Sequence, residues 1–263
     1  MKRFPAFLAI SAILVSFIPS FAFAATVTPI VQIQPGSLIR GTTFAAVYYL
    51  GRDGYRYVFP NDKTYFTWYA NFASVKFVSD ADLSKIQIGG NVTYKPGARM
   101  VKINSDPKVY AVDESGSLRW VTTEDLAIAM YGSDWNTKID DVPDAFFGNY
   151  RTGSNIETST DFVPASVSAS TASIDEDKRL KPATVLNVSD DFYDNASVTI
   201  KAGTAVRWYN NGANKHTATA TDLSWGTGTI QSGGNFARYF NVAGTYTYFC
   251  SYHPEMKATI IVE

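Results

Sequence analysis

The feature that most restricts how this chain can fold is the pattern of its last third, residues 183–263. Apolar and polar residues alternate in short segments at Thr184 to Val188, Ser197 to Lys201, Ala205 to Tyr209, Thr217 to Thr221, Phe236 to Phe240, Tyr246 to Cys250 and Ala258 to Val262. Asp/Asn/Gly-rich turns separate them, and no helical period runs through the stretch. Seven short strands in so few residues predict a β-sandwich or Greek-key barrel.

The chain holds one cysteine and two histidines among 263 residues. That inventory excludes a disulfide framework, a four-cysteine zinc site, a binuclear copper centre with two bridging thiolates and a histidine-rich trinuclear copper cluster. All three residues fall in the strand-rich third. His216 follows the run Trp208-Tyr209-Asn210-Asn211, and Cys250, His253 and Met256 form Cys-x-x-His-x-x-Met at the end of a strand. Each has a plainer role when taken alone: a chance Cys-x-x-His pair, a methionine in the core, a solvated histidine near a turn. Together, two imidazoles, a thiolate and a thioether are the ligand set of a blue-copper site, and soft sulfur with borderline nitrogen selects copper over calcium or magnesium. A strand ending in Cys250 aims its sulfur at the sandwich mouth, a tight loop returns His253 and Met256 to that point, and His216 arrives from an opposing strand end.

On these residues the last third resembles the cupredoxin family, of the plastocyanin and amicyanin type. The resemblance is carried by TIKAGTAVRWYNNGANKHT (199–217) and GTYTYFCSYHPEMKATIIV (244–262), with the short Cys-Ser-Tyr-His-Pro-Glu-Met loop most like that of amicyanins. It implies one type 1 copper ion, with His216, Cys250 and His253 as strong ligands and Met256 as the axial one. Two positions depart from the family pattern. Thr217 stands where many members have an asparagine that ties the ligand loops together, and Tyr252 stands where proline is frequent.

Upstream, residues 1–25 have the layout of a secretory signal peptide: Lys2 and Arg3, an apolar run from Phe4 to Phe23, and the small-x-small site Ala22-Phe23-Ala24. An uncleaved anchor is the alternative. Export to the periplasm or cell surface is expected, where a lone cysteine is a free thiol, an intermolecular bridge or a metal ligand. Residues 26–156 read as a duplicated aromatic block, with units of about 30–92 and 96–156. Pro35-Gly36 recurs as Pro96-Gly97, and Val47-Tyr48, Gly54 and Arg56-Tyr57-Val58 recur as Val109-Tyr110, Gly116 and Arg119-Trp120-Val121. Each unit predicts aromatic hairpins turning at Gly54 or Gly116, then a helix over Lys63 to Phe72 or Thr123 to Tyr131, the latter capped by Thr122 or Thr123. The block resembles only uncharacterised aromatic repeats of exported bacterial proteins. Residues 157–182, Ser/Thr/Ala-rich and then charged, read as a flexible linker. The expected fold class is thus mainly β: a cupredoxin-like Greek-key sandwich at 183–263, preceded by a duplicated α+β hairpin/helix block.

The charges nearly cancel, at 23 basic and 24 acidic residues, which argues against nucleic acid as a partner. The block lacks histidine and cysteine, and its carboxylate pairs Asp80/Asp82 and Asp140/Asp141 sit at helix starts or turns, so no catalytic constellation is expected. Aromatic hairpins form core or line a sugar-binding groove; a cell-envelope glycan or surface protein is the candidate partner of the block. The expected function is an exported electron carrier serving redox partner proteins, with His253 between Tyr252 and Pro254 as an uncharged electron port, rimmed by Glu255 and Lys257. A copper-delivery module and an adhesion protein with an accessory copper domain are the alternatives.

Overall fold

A computed structural model describes residues 26–103 and 105–263; the segment read as a signal peptide lies outside the described residues. The first unit contains β1 (Leu38–Arg40), β2 (Tyr48–Leu50), β3 (Arg56–Val58), α1 (Asp62–Trp68), β4 (Val75–Phe77), α2 (Asp80–Ser84) and β5 (Ile88–Asn91). The second contains β6 (Met100–Ile103), β7 (Asp106–Asp113), β8 (Ser117–Trp120), α3 (Glu124–Tyr131), β9 (Ile139–Asp141), α4 (Asp144–Phe147) and β10 (Arg151–Thr152). Their five-stranded sheets run β4-β1-β2-β3-β5 and β9-β6-β7-β8-β10, the same connectivity twice. The β2–β3 and β7–β8 turns carry Gly54 at φ 80° and Gly116 at φ 65°, a region that costs glycine nothing. Helix α3 starts where expected, its first-turn N–H of Leu126 bonded to the Thr123 hydroxyl. Helix α1 is capped by Asn61 and ends at Trp68 rather than Phe72, because Tyr69 turns extended and the Tyr65 ring stacks on Phe72 at 4.4 Å across the bend.

Residues 157–182 are not a flexible linker. They form α5 (Pro164–Ser170) and α6 (Ile174–Asp177), and Phe162, Thr171, Ile174, Asp175 and Asp177 are buried. The apolar anchors are few but spaced, Phe162 in the core of the second unit and Ile174 in that of the first. The acidic run serves as a set of hydrogen-bond acceptors. Asp175 accepts from the Arg52 backbone N–H at 3.0 Å, and Asp177 accepts from that of Ser115 at 2.8 Å. Helix α6 therefore clasps the equivalent hairpin turns of both units. Composition alone hid this, since it counts carboxylates as solvated while these are partnered by otherwise orphaned backbone donors.

The last third forms two four-stranded sheets: β12-β11-β14-β16, from β11 (Thr184–Ser189), β12 (Phe192–Tyr193), β14 (Thr204–Asn210) and β16 (Asn235–Phe240), and β13-β18-β17-β15, from β13 (Ser197–Ile200), β15 (Thr219–Ala220), β17 (Gly244–Phe249) and β18 (Lys257–Val262). The expected seven segments are present, and the short β12 is an eighth. Between the sheets Trp208, Trp225, Phe240 and Tyr248 pack edge-on or tilted at 5.5–6.3 Å around fully buried Trp208.

The other face of β14 and β16 is covered as well. Ala205 and Ala237 share one buried cluster with Tyr49, Tyr55, Tyr57, Phe59 and Ile174 of the upstream chain. Alanine there lets the sheet approach those rings closely. Asp53, with no exposed surface, accepts from Tyr57 Oη at 2.5 Å and from Tyr239 Oη across the junction. Gln87 pairs its amide with both the N–H and the C=O of Ala237, at 2.6 and 3.0 Å, which blocks the open edge of β16.

Candidate metal centre

Cys250 directly follows β17 and makes the rung beyond the Phe249–Lys257 pair, its N–H donating to Met256 O at 3.0 Å. The six residues after the cysteine close on themselves: His253 N–H reaches Cys250 O at 3.2 Å and Met256 N–H reaches His253 O at 2.9 Å. Two consecutive turns thus return His253 and Met256 to the point where the cysteine leaves its strand. Opposite them, His216 is pinned by a two-bond bridge to Ile230, at 3.1 and 2.8 Å. Buried Asn210 shapes the intervening loop through its side chain, donating to Asn214 O and Ile230 O and accepting from Gly212 N.

Cys250 Sγ lies 3.8 Å from His216 Nδ1 and 3.6 Å from His253 Nδ1, and all three donor atoms fall within 4.8 Å of one another. A metal with bonds of about 2.3 Å to sulfur and about 2.0 Å to nitrogen, at trigonal angles of about 120°, separates S from N by about 3.7 Å. Both S–N separations match such an ion. Cys250 and His216 have no exposed surface and Met256 is buried beside them in the core, while the His253 side chain is 30% exposed. The structure therefore brings together three of the four sequence-derived ligands as mutual neighbours and places Met256 at the base of the same loop.

Thr217 occupies the asparagine's place and ties the loops itself. Its N–H points at Cys250 Sγ at 3.4 Å, and its Oγ1 accepts from Ser251 N at 2.8 Å. Tyr193 Oη locks the same residue from below, donating to Thr217 O at 2.5 Å. A backbone donor on a thiolate sulfur is one of the means by which such sites are tuned.

Two acidic residues that the ligand motif does not contain also reach the site. Asp190 and Asp191 form the two-residue turn between β11 and β12. Asp190 Oδ1 stands 3.4 Å from His216 Nε2, and Asp191 Oδ1 stands 3.9 Å from His253 Nε2. The backbone N–H groups of Asn214 and Ala213, followed by His216, hold the Asp190 carboxyl below the usual carboxylate range. The patch flanking His253 is thus not purely uncharged: Asp191 faces its outer nitrogen, and Lys215 lies 4.3 Å over the neighbouring Tyr252 ring. A turn signal was the only sign of these aspartates in the sequence, 26 and more residues from the ligands they approach.

Residues 162–262 match the family model of the cupredoxin-like domain. Amicyanin-alpha of Methylorubrum extorquens is 32% identical over 89 residues, covering 31% of this chain and 72% of that protein. Plastocyanin of Scenedesmus fuscus is 37% identical over 84 residues, 27% of this chain and 86% of that protein. Among solved structures, amicyanin from Paracoccus versutus aligns at 34% identity and a TM-score of 0.29, covering 31% of this chain and 81% of that one. With the amicyanin-alpha and plastocyanin sequences beside the geometry, His216, Cys250 and His253, with Met256, form a type 1 copper-like site.

Proposed function

We propose, from the premise that this chain belongs to the cupredoxin family through its C-terminal segment, that it is an exported protein carrying single electrons between redox partners. The observation that carries this reading is the enclosed set of one thiol and two imidazole nitrogens at 3.6 and 3.8 Å. Bound copper would supply a one-electron Cu(II)/Cu(I) couple; the chain supplies its ligands and the rigidity that keeps them in place. Cys250, buried and approached by the Thr217 N–H, provides the thiolate. His216 is fixed by the Ile230 bridge, and Met256, buried beside them, would supply a thioether to the ion. His253 alone presents an outer ring edge to solvent, and it serves as the port through which electrons pass to a partner protein.

Export is supported by the signal-like layout of residues 1–25, and the near-cancelling charge by itself gives little long-range steering. Among the described residues no helix is long and apolar enough to cross a membrane. The upstream block holds and spaces the copper domain. Its aromatic residues are mostly core, and Trp68 itself is engaged, its indole N–H donating to Thr93 O at 2.8 Å. Exposed Phe44, Phe66 and Phe72 are the side chains it offers to an envelope glycan or surface protein.

Voltammetry of the copper-loaded full chain in the presence of a Cu(I) chelator tests the carrier reading. One copper per chain cycling reversibly without loss is the expected result. Copper passing to the chelator on reduction would show the metal to be cargo, and the protein a delivery module.

A further inference from the structure

The Asp190–Asp191 turn places a carboxylate behind each of the two imidazoles. We propose that Asp190 is a positioning residue of the metal centre, holding His216 in the tautomer that offers Nδ1 to the ion, and that the Asp190–Asp191 pair biases the centre toward its oxidised state. The inference rests on the copper reading above and concerns residues that the ligand motif does not include.

Both backbone partners of the Asp190 carboxylate are donors. Oδ1 accepts from Asn214 N at 2.8 Å, Oδ2 accepts from Ala213 N at 3.1 Å, and Oδ1 meets His216 Nε2 at 3.4 Å. An ionised carboxylate only accepts, so the nitrogen facing it carries the imidazole proton. The lone pair is then left on Nδ1, the nitrogen that faces Cys250. The approach depends on Gly212, where a Cβ would stand 2.3 Å from Asp190 Oδ1 and 2.9 Å from its backbone nitrogen. Asp191 is held at φ 69°, a left-handed conformation that aspartate tolerates better than most residues, and from there it faces the outer nitrogen of His253.

A carboxylate bonded to a ligating histidine raises the basicity of the ligand, and its negative charge stabilises the metal state of higher charge. Water screens the contact at His216 only in part, since the imidazole has no exposed surface while the Asp190 side chain is 40% exposed. Among the described residues neither aspartate is paired with a lysine or arginine, and the nearby Lys215 ammonium lies instead over the Tyr252 ring. The pair therefore acts on the centre as uncompensated negative charge, stronger through bonded Asp190 than through Asp191, whose side chain is 77% exposed.

The test uses the full chain with Asp190→Asn and Asp191→Asn. In copper-loaded Asp190→Asn the thiolate-to-copper colour is retained, while Cu(II) affinity relative to Cu(I) falls tenfold or more. That shift raises the reduction potential by about 59 mV per tenfold; Asp191→Asn moves it the same way by less. Nitrogen chemical shifts of His216 in the copper-free wild-type chain should show the proton on Nε2. An unchanged potential in Asp190→Asn overturns the bias, and a proton on Nδ1 in the wild type overturns the positioning role. The copper-free measurement decides the latter even if Asp190→Asn fails to fold, and even if the wild type binds no coloured copper and the carrier reading itself falls.

Discussion

Thr217 shows what one residue does when it replaces another in a shared frame. A single side-chain oxygen accepts the Ser251 N–H and reaches the Thr219 hydroxyl, so the His216 strand and the cysteine loop are joined without an asparagine. Thr217→Ala leaves the part-buried Ser251 N–H without its partner. It should cost about 1 kcal/mol, read as a lower urea midpoint, with the Cys250 colour retained. A midpoint unchanged from wild type would mean that the Thr217 hydroxyl does not hold the loops together. The four ligands were legible in the sequence because the chain has so few histidines and cysteines and places them all at strand ends. Asp190 and Asp191 were not: an aspartate in a turn has the same local signature whether it faces water or a ligating imidazole, and only the antiparallel return of β12 decides which.

Among the elements, α6 carries the largest difference between composition and structure. A Ser/Thr/Ala stretch followed by acids reads as unfolded chain, yet its carboxylates satisfy backbone donors of two hairpin turns and its Ile174 fills a hole in the first unit. Limited proteolysis should accordingly spare residues 162–182, and Phe162→Ala, which empties a buried aromatic site, should cost about 3–5 kcal/mol and open the stretch to cleavage. Preferential cutting there in the wild type would restore the tether. Burial lifts the Asp177 carboxyl above its ordinary range, opposed mainly by the Ser115 N–H. A raised folded-state pKa means that its contribution to stability is fully present below the unfolded value of about 3.9 and is lost as pH rises through the folded value. Asp177→Asn, which cannot ionise, should therefore gain on the wild type in urea midpoints as pH rises above about 4, and a gap that stays constant with pH would contradict the burial. The strands were largely legible from their alternation; the second covering of β14 and β16 was not, since Ala205 and Ala237 look like indifferent residues until aromatic rings are seen to press on them.

On the scale of the whole molecule, the copper-like domain and the upstream block form one body across a junction built on Asp53, Tyr57, Tyr239 and Gln87. The hydrogen-bond partners of the site itself lie within residues 190–256, away from that junction, so the two functions of the sheet are separable. Tyr239→Phe removes a donor to a buried carboxylate and should lower stability by about 1.5–3 kcal/mol while leaving the metal spectrum unchanged; a spectral shift would reveal coupling between the faces. The central claim, that His216, Cys250, His253 and Met256 hold copper as an electron-transfer centre, is tested most directly by the visible absorption and EPR spectrum of the Cu(II)-loaded full chain. An intense thiolate-to-copper band and a type 1 EPR signal from one copper are expected, both abolished by Cys250→Ser. A colourless adduct with an ordinary tetragonal EPR spectrum would contradict it.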